Sequence, residues 1–239
     1  MPGAMDVRPR RRHKKRANLM QRAFLLLIPA AAAFAASGCV VGSASGAPYS
    51  ESLRSTYTGF EKVDASAGVE VIVAQGNFDV KADSPENDDL KNLIVEVQGN
   101  TLHIGRKQTM MMGWGNGPRY RVTVSAPAYS GFEVSSGASL EGSGLQLSDV
   151  QIDVSSGASI QLAGACKALR VDISSGAQFD GEGLKCDTAN VDASSGAHAE
   201  AFAARTAEGN ASSGASVNFH GNPASLQKDE SSGGSVSAR

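Results

Sequence analysis

A single tripeptide, Ser-Ser-Gly, recurs six times in the second half of the chain. It stands at residues 135–137, 155–157, 174–176, 194–196, 212–214 and 231–233, with steps of 20, 19, 20, 18 and 19 residues between the glycines. A period this constant marks a stacked repeat. Registered on the glycine, the flanking residues fall into columns. Five positions before it stand Phe132, Ile152, Val171, Val191, Gly209 and Lys228. Three before stand Val134, Val154, Ile173, Ala193, Ala211 and Glu230. Between these columns lie Glu133, Asp153, Asp172, Asp192, Asn210 and Asp229. After the glycine comes a small residue, then an apolar column from Leu140 to Val236. This is strand alternation on either side of a fixed corner.

A coil of about 19 residues cannot bury its inner face alone, but parallel copies stacked ~4.8 Å apart can. The expected fold is therefore all-β: a single-chain parallel β-solenoid (β-helix) with 19–20-residue coils, right-handed by the crossover preference. The glycine suits a corner that needs positive φ or close backbone approach. The preceding serine can bond the turning backbone. The apolar columns thin toward Gly209, Lys228 and Glu230, as expected of a polar terminal cap.

Composition agrees. Glycine is abundant, at 27 of 239 residues, and aromatics make up only 5 %. The net charge of −2 conceals an asymmetry. Residues 1–38 hold eight of the 22 basic residues and one of the 24 acids, which leaves 14 basic and 23 acidic residues, a net of −9, for the rest. Such an acidic body repels phosphate backbones, so nucleic acid is not an expected partner.

The basic run Arg8–Arg16 precedes an apolar stretch from Ala23 to Ala36, the pattern of an export signal at residues 1–38. Its end, Ala36-Ser37-Gly38-Cys39, resembles the lipobox of bacterial lipoproteins, with Ala36 where leucine is usual. The resemblance implies cleavage before Cys39, lipidation of that cysteine and a membrane anchor. The alternative is ordinary cleavage at a small-residue site within Ala30–Ala36. The arginine cluster lacks the rest of a twin-arginine pattern, which leaves the general secretion route. Val40, rather than an aspartate, follows the cysteine, and by resemblance to enterobacterial sorting this favours the outer membrane. Residues 39–56 are small and polar and read as a flexible tether.

The domain is expected over residues 57–237, irregular in 57–130 and regular in 131–237. In the first part Val69, Val71 and Val73 alternate with Glu70, Ile72 and Ala74. Asp83-Ser84-Pro85-Glu86 reads as a helix start, with a short helix to about Leu93. Gly99-Asn100 between two apolar runs reads as a hairpin turn. Val63-Asp64-Ala65-Ser66-Ala67-Gly68 has the form of Val171–Gly176, so this part is expected to hold an enlarged coil of the same stack.

The V-D-x-S-S-G-A-S repeats, the opening Val63–Val71 and the closing Gly221-Asn222-Pro223 together resemble the "putative auto-transporter adhesin, head GIN domain" family. The resemblance covers roughly residues 57–237. It implies a β-helical domain of the bacterial cell envelope, often borne by lipoproteins.

Three features could carry chemistry. Asp153, Asp172 and Asp192 form the heart of the acidic column. Like charges ~5 Å apart repel by about 1 kcal/mol in water, which a cation such as Ca²⁺ or a ligand could relieve. A solvated outer face that blocks sideways pairing is the alternative. The segment from Met110 to Pro118, with Met111, Met112 and Trp114, is either a contact loop or a flap over the solenoid. Cys166 and Cys186 lie nine and ten positions after their glycines. They read as neighbours in adjacent coils, bridged in an oxidising envelope or left as free thiols. No Cys/His metal spacing, P-loop or G-x-S-x-G motif is present, so neither catalysis nor a cofactor is expected. The functional expectation is a non-enzymatic, envelope-anchored β-solenoid that binds a protein or glycan ligand. An envelope scaffold or stress-associated interaction module is the alternative, and a polysaccharide-acting enzyme a more distant one.

Overall fold

The computed structural model describes residues 48–84, 90–107 and 119–239. The export signal, Cys39, residues 85–89 of the expected helix and the Met111–Trp114 loop lie outside these residues, and Asp83, expected to open that helix, instead ends a strand. Among the described residues fifteen strands follow in chain order. The irregular part supplies β1 (Lys62–Ala65), β2 (Glu70–Gln75), β3 (Asp79–Asp83), β4 (Leu93–Gln98), β5 (Thr101–Arg106) and β6 (Arg121–Ala126). The repeats supply β7 (Gly131–Val134), β8 (Ser139–Gln146), β9 (Asp149–Val154), β10 (Ser159–Ile173), β11 (Gln178–Ala193), β12 (His198–Ala211), β13 (Ser216–His220), β14 (Ser225–Glu230) and β15 (Ser235–Ala238). All belong to one sheet, and the repeats wind as a parallel β-solenoid of about five turns with coils of roughly 20 residues.

The repeat period becomes register. Ile152 pairs with Val171, Val171 with Val191, and Val191 with Gly209, so each apolar column stacks on itself. These side chains are buried, as are Leu140, Ile160, Phe179, Ala199 and Val217 behind the corner. Gly209 is not a thinning of the core. A Cβ there would come within 2.8 Å of the Phe219 ring and of Val236, so the glycine makes room for the last large side chains. Polar capping begins one level later. In β14, Lys228 and Glu230 occupy the inward columns, and every residue of that strand is exposed.

Each Ser-Ser-Gly corner is a tight turn. The amide following the glycine donates to the first serine's carbonyl at 2.8–3.2 Å. The second serine takes φ of 48–57° and the glycine φ of 69–78°. Two successive left-handed residues are the mark of a type I′ turn. The glycine is required by φ rather than by crowding, because a Cβ at Gly137, Gly157 or Gly176 would meet nothing within 4 Å. Its amide donates to the left-handed serine carbonyl of the next coil at 3.0–3.2 Å, so the corners carry their own ladder.

The irregular part joins the same sheet out of chain order. β1 pairs with β7 on one side and β5 on the other, and β2 pairs likewise with β8 and β6. The β5–β6 level is thus inserted beyond the β1–β2 level, and β4 and β3 close that end as antiparallel strands. Gly99 turns the β4–β5 hairpin at φ 62°. Of the expected helix, Leu90–Asn92 forms a 3₁₀ turn, and Leu93 already begins β4, where it is fully buried.

The tether reading to residue 56 also changes. Pro48 bridges Ile94, and the Tyr49 amide donates to the Leu93 carbonyl at 2.8 Å. Glu51–Thr56 form a 3₁₀ turn whose Arg54 pairs with Asp79 of β3. Tyr49 is buried there, with its hydroxyl between Glu51 and the backbone of Val80 and Ala82. A small, polar composition hid one tyrosine, Tyr49, able to reach the core.

Candidate functional site

The chemistry of this protein is concentrated on the sheet face that leads into the corners. There the alternation turns every second side chain outward, and registered pairing converts sequence periodicity into a ladder. His103, Asp64, Glu133, Asp153, Asp172, Asp192, Asn210 and Asp229 occupy successive levels of one column. Asp153, Asp172 and Asp192, singled out from the sequence, therefore stand side by side. Glu133 and Asp64 extend them. The V-D-A motif at residues 63–65 was the signal for Asp64. His103 gave none, because its level is inserted out of chain order.

Compensation along the ladder is uneven. At one end His103 Nδ1 lies 2.8 Å from Asp64 Oδ2. Toward the other end Arg170 reaches Asp192 at 3.0 Å and Asp172 at 3.4 Å, and Asn210 donates to Asp192 at 2.6 Å. Between them, Asp153 accepts only a 3.2 Å bond from the neutral Gln151 amide. Burial in the groove pushes the Asp153 carboxyl above its usual range, and the Asp172 charge adds to this. Burial likewise raises Glu133, with contributions from Asp64 and Asp153. The middle of the ladder is thus its least satisfied part.

A groove of about 460 Å³ runs beside the ladder, with Glu133, Asp153, Asp172, Asp192 and Asp229 along it and Ser155, Ser174, Ser194, Ser212 and Ser231 among its lining residues. Its geometry suits an extended ligand with donors or positive charges at the coil repeat. A second groove, of about 620 Å³, lies on the far side of the Arg170 column and has a floor of Val150, Leu169 and Ala189. Calcium fits the ladder poorly. The column offers one carboxylate per level, whereas Ca²⁺ takes six to eight oxygens at about 2.3–2.6 Å. Among the described residues no group of three or more His, Cys, Asp or Glu side chains is arranged to hold a metal ion.

The opposite face carries a polar cluster that the sequence did not suggest. Glu200 accepts from Asn218 at 3.0 Å and contacts His198 at 3.1 Å, the buried His220, and Arg239 at 3.7 Å. Burial alone would raise this carboxyl, but the bonds from His220 and Asn218 outweigh it and hold it below the usual range. His198 Nδ1 also lies 3.2 Å from Ser216 Oγ. A serine, a histidine and a carboxylate are in contact, yet the imidazole is about half exposed on an open sheet face. Its carboxylate is shared with His220 and Asn218. That arrangement ties the last coils together and does not pre-organise a nucleophile.

Cys166 and Cys186 are in register on β10 and β11, with Cα atoms 4.4 Å apart and the sulfurs joined. No described helix is long and apolar enough to cross a membrane.

Comparison with known proteins places this architecture. The family described as "putative auto-transporter adhesin, head GIN domain" matches residues 59–223. Among solved structures, a putative adhesin from Bacteroides fragilis NCTC 9343 is 14 % identical, with 76 % of this chain and 93 % of that chain covered and a TM-score of 0.57. A putative lipid-binding protein from Parabacteroides distasonis ATCC 8503 is also 14 % identical over the same shares, with a TM-score of 0.45. No protein of curated function matches the chain. At such identities the Bacteroides structure bears on the fold alone, whereas the family match spans well over half of the sequence. The chain belongs to the auto-transporter adhesin head GIN domain family.

Proposed function

We propose that this protein is a non-enzymatic, adhesin-like component of the cell envelope that binds an extended partner in the groove beside its acidic ladder. A lipid on Cys39 would hold it to the membrane, after export by the general secretion route and with the outer membrane as its address. The observation that carries this reading is the run of Glu133, Asp153, Asp172 and Asp192 in register along an open groove of about 460 Å³. Repulsion that Lys62 and Arg170 only partly offset is a standing cost to the fold, and a cationic partner would reduce it. The family's description as an adhesin head supports the same kind of role. Among the described residues every aromatic ring is buried or half-buried. A protein segment with basic side chains therefore suits the face better than a neutral glycan, which would use aromatic platforms.

Crosslinking in intact envelopes followed by capture of the protein tests the reading. The wild type is expected to capture a defined partner, and salt added before the crosslinker should suppress that capture. A variant carrying Asp153→Asn, Asp172→Asn and Asp192→Asn is expected to lose it. Equal capture by both would remove the ladder from the binding surface. The lipid is tested separately by the mass of the peptide bearing Cys39 and by metabolic labelling with a fatty-acid probe, which Cys39→Ala should abolish.

A further inference from the structure

The segment that precedes β1 has a consequence for how the solenoid stands on a membrane. Pro48 is fixed to β4 by its bridge to Ile94, and the Tyr49 amide and ring are held at the same end of the stack. Arg54 clamps the following 3₁₀ turn to Asp79 of β3. Both β3 and β4 belong to the antiparallel closure of the stack. Only eight residues, 40–47, separate Cys39 from this fixed point. Fully extended they reach about 28 Å.

From β4 the sheet steps through β5, β1, β7, β9, β10, β11 and β12 to β14, eight steps in all. At ~4.8 Å each they span about 38 Å. The tether is therefore shorter than the stack. Were residues 48–57 free, the first fixed side chain would be Phe60, and the twenty residues 40–59 would reach ~70 Å. Either end of the solenoid could then meet the bilayer.

We infer that Pro48–Tyr57 is a latch that makes the β3–β4 end the membrane-facing end, against an anionic lipid surface, and turns the β14–β15 coil outward. The inference rests on the proposed lipid at Cys39. Charge keeps the body from lying flat: residues 39–239 carry 23 acidic against 14 basic groups, and an anionic leaflet repels them. The acidic groove then runs away from the membrane, and its Asp192 and Asp229 levels are the first that an incoming partner meets.

The test uses the full chain, processed in a bacterial host and reconstituted into phosphatidylethanolamine–phosphatidylglycerol vesicles that contain an acceptor-labelled lipid. A donor dye is placed at Asn100→Cys, in the β4–β5 turn, or at Gln227→Cys, on exposed β14. Strong energy transfer from the first and weak transfer from the second are expected. Equal transfer, or stronger transfer from residue 227, overturns the inference. Tyr49→Ala combined with Arg54→Ala should bring the two signals together while circular dichroism shows the sheet intact. A difference that survives this release overturns the role of the latch. Mass analysis of Cys39 separates the two readings. Protein that stays off the vesicles with Cys39 unmodified refutes the lipid anchor and this inference with it, whereas lipidated protein with equal signals refutes only the inference.

Discussion

Replacing Asp153 with asparagine should stabilise the protein, although it removes a charge beside Arg170. Asp153 sits one level from Glu133 and one from Asp172. Adjacent levels are ~4.8 Å apart, and two like charges at about 5 Å repel by roughly 0.8 kcal/mol in water and ~3 kcal/mol at an effective dielectric constant of 20. The column is half-exposed, so the water-like end applies to each pair. Lys62 and Arg170 offset part of the repulsion. The net gain for Asp153→Asn is then about 1 kcal/mol at neutral pH, or ~2–4 °C in Tm for a domain of this size. The Gln151 amide keeps its acceptor in the variant.

The pH dependence fixes the sign. Burial and neighbouring carboxylates raise Asp153 and Glu133 above their usual range. A carboxyl whose folded pKa lies above its unfolded value costs stability while ionised, and regains it as pH falls through the folded value toward the unfolded one. The wild type should therefore close the gap on the variant as pH falls from about 7 toward ~4. Salt near ~1 M, with a Debye length of about 3 Å, should shrink the gap as well. Urea midpoints measured across pH at low and high salt provide the assay. A lower midpoint for Asp153→Asn at neutral pH and low salt, or a gap indifferent to pH, would refute the claim that this carboxylate is held against repulsion.

Other outcomes follow from the corners, the sulfurs and the far end. Gly176→Ala should cost only about 1 kcal/mol, the torsional penalty at φ 69° less the entropy gain of the unfolded chain, because its Cβ enters open space. Gly164→Ala should cost about 3 kcal/mol or more, since its Cβ would lie 2.0 Å from the Leu145 carbonyl oxygen; equal urea midpoints for the two would refute the distinction. Intact mass with and without reductant should show Cys166 and Cys186 bridged, and loss of the bridge should remove about 3 kcal/mol by chain entropy. Lys228→Val with Glu230→Val should turn a protected edge into an adhesive one, read as higher-order species in sedimentation; a sedimentation profile unchanged from wild type would show that the charges do not guard that end.

How much of this was legible in sequence differs from residue to residue. Columns such as Ile152-Val171-Val191 could be registered by counting, because a parallel solenoid pairs each residue with its equivalent one period later. Asp153, Asp172 and Asp192 became neighbours by the same rule. Counting failed where the chain leaves its period. His103 joins the ladder through a level inserted beyond β1, and no spacing announces an insertion. The registered partner of Glu200 in β13 is Asn218, and Glu200 meets His220 and Arg239 diagonally, which counting along columns does not pair. Tyr49 docks through contacts with β3 and β4, which are remote in sequence.

The sequence by itself determined the coil, its corner and the chemistry of each outward column. Those are set by local φ requirements and by alternation within about twenty residues. Tertiary structure decided the order in which levels stack, which carboxylates lack a counter-charge, and where the N-terminal segment is fixed. These depend on pairing between strands distant in the chain, and backbone hydrogen bonding carries no record of which level comes next.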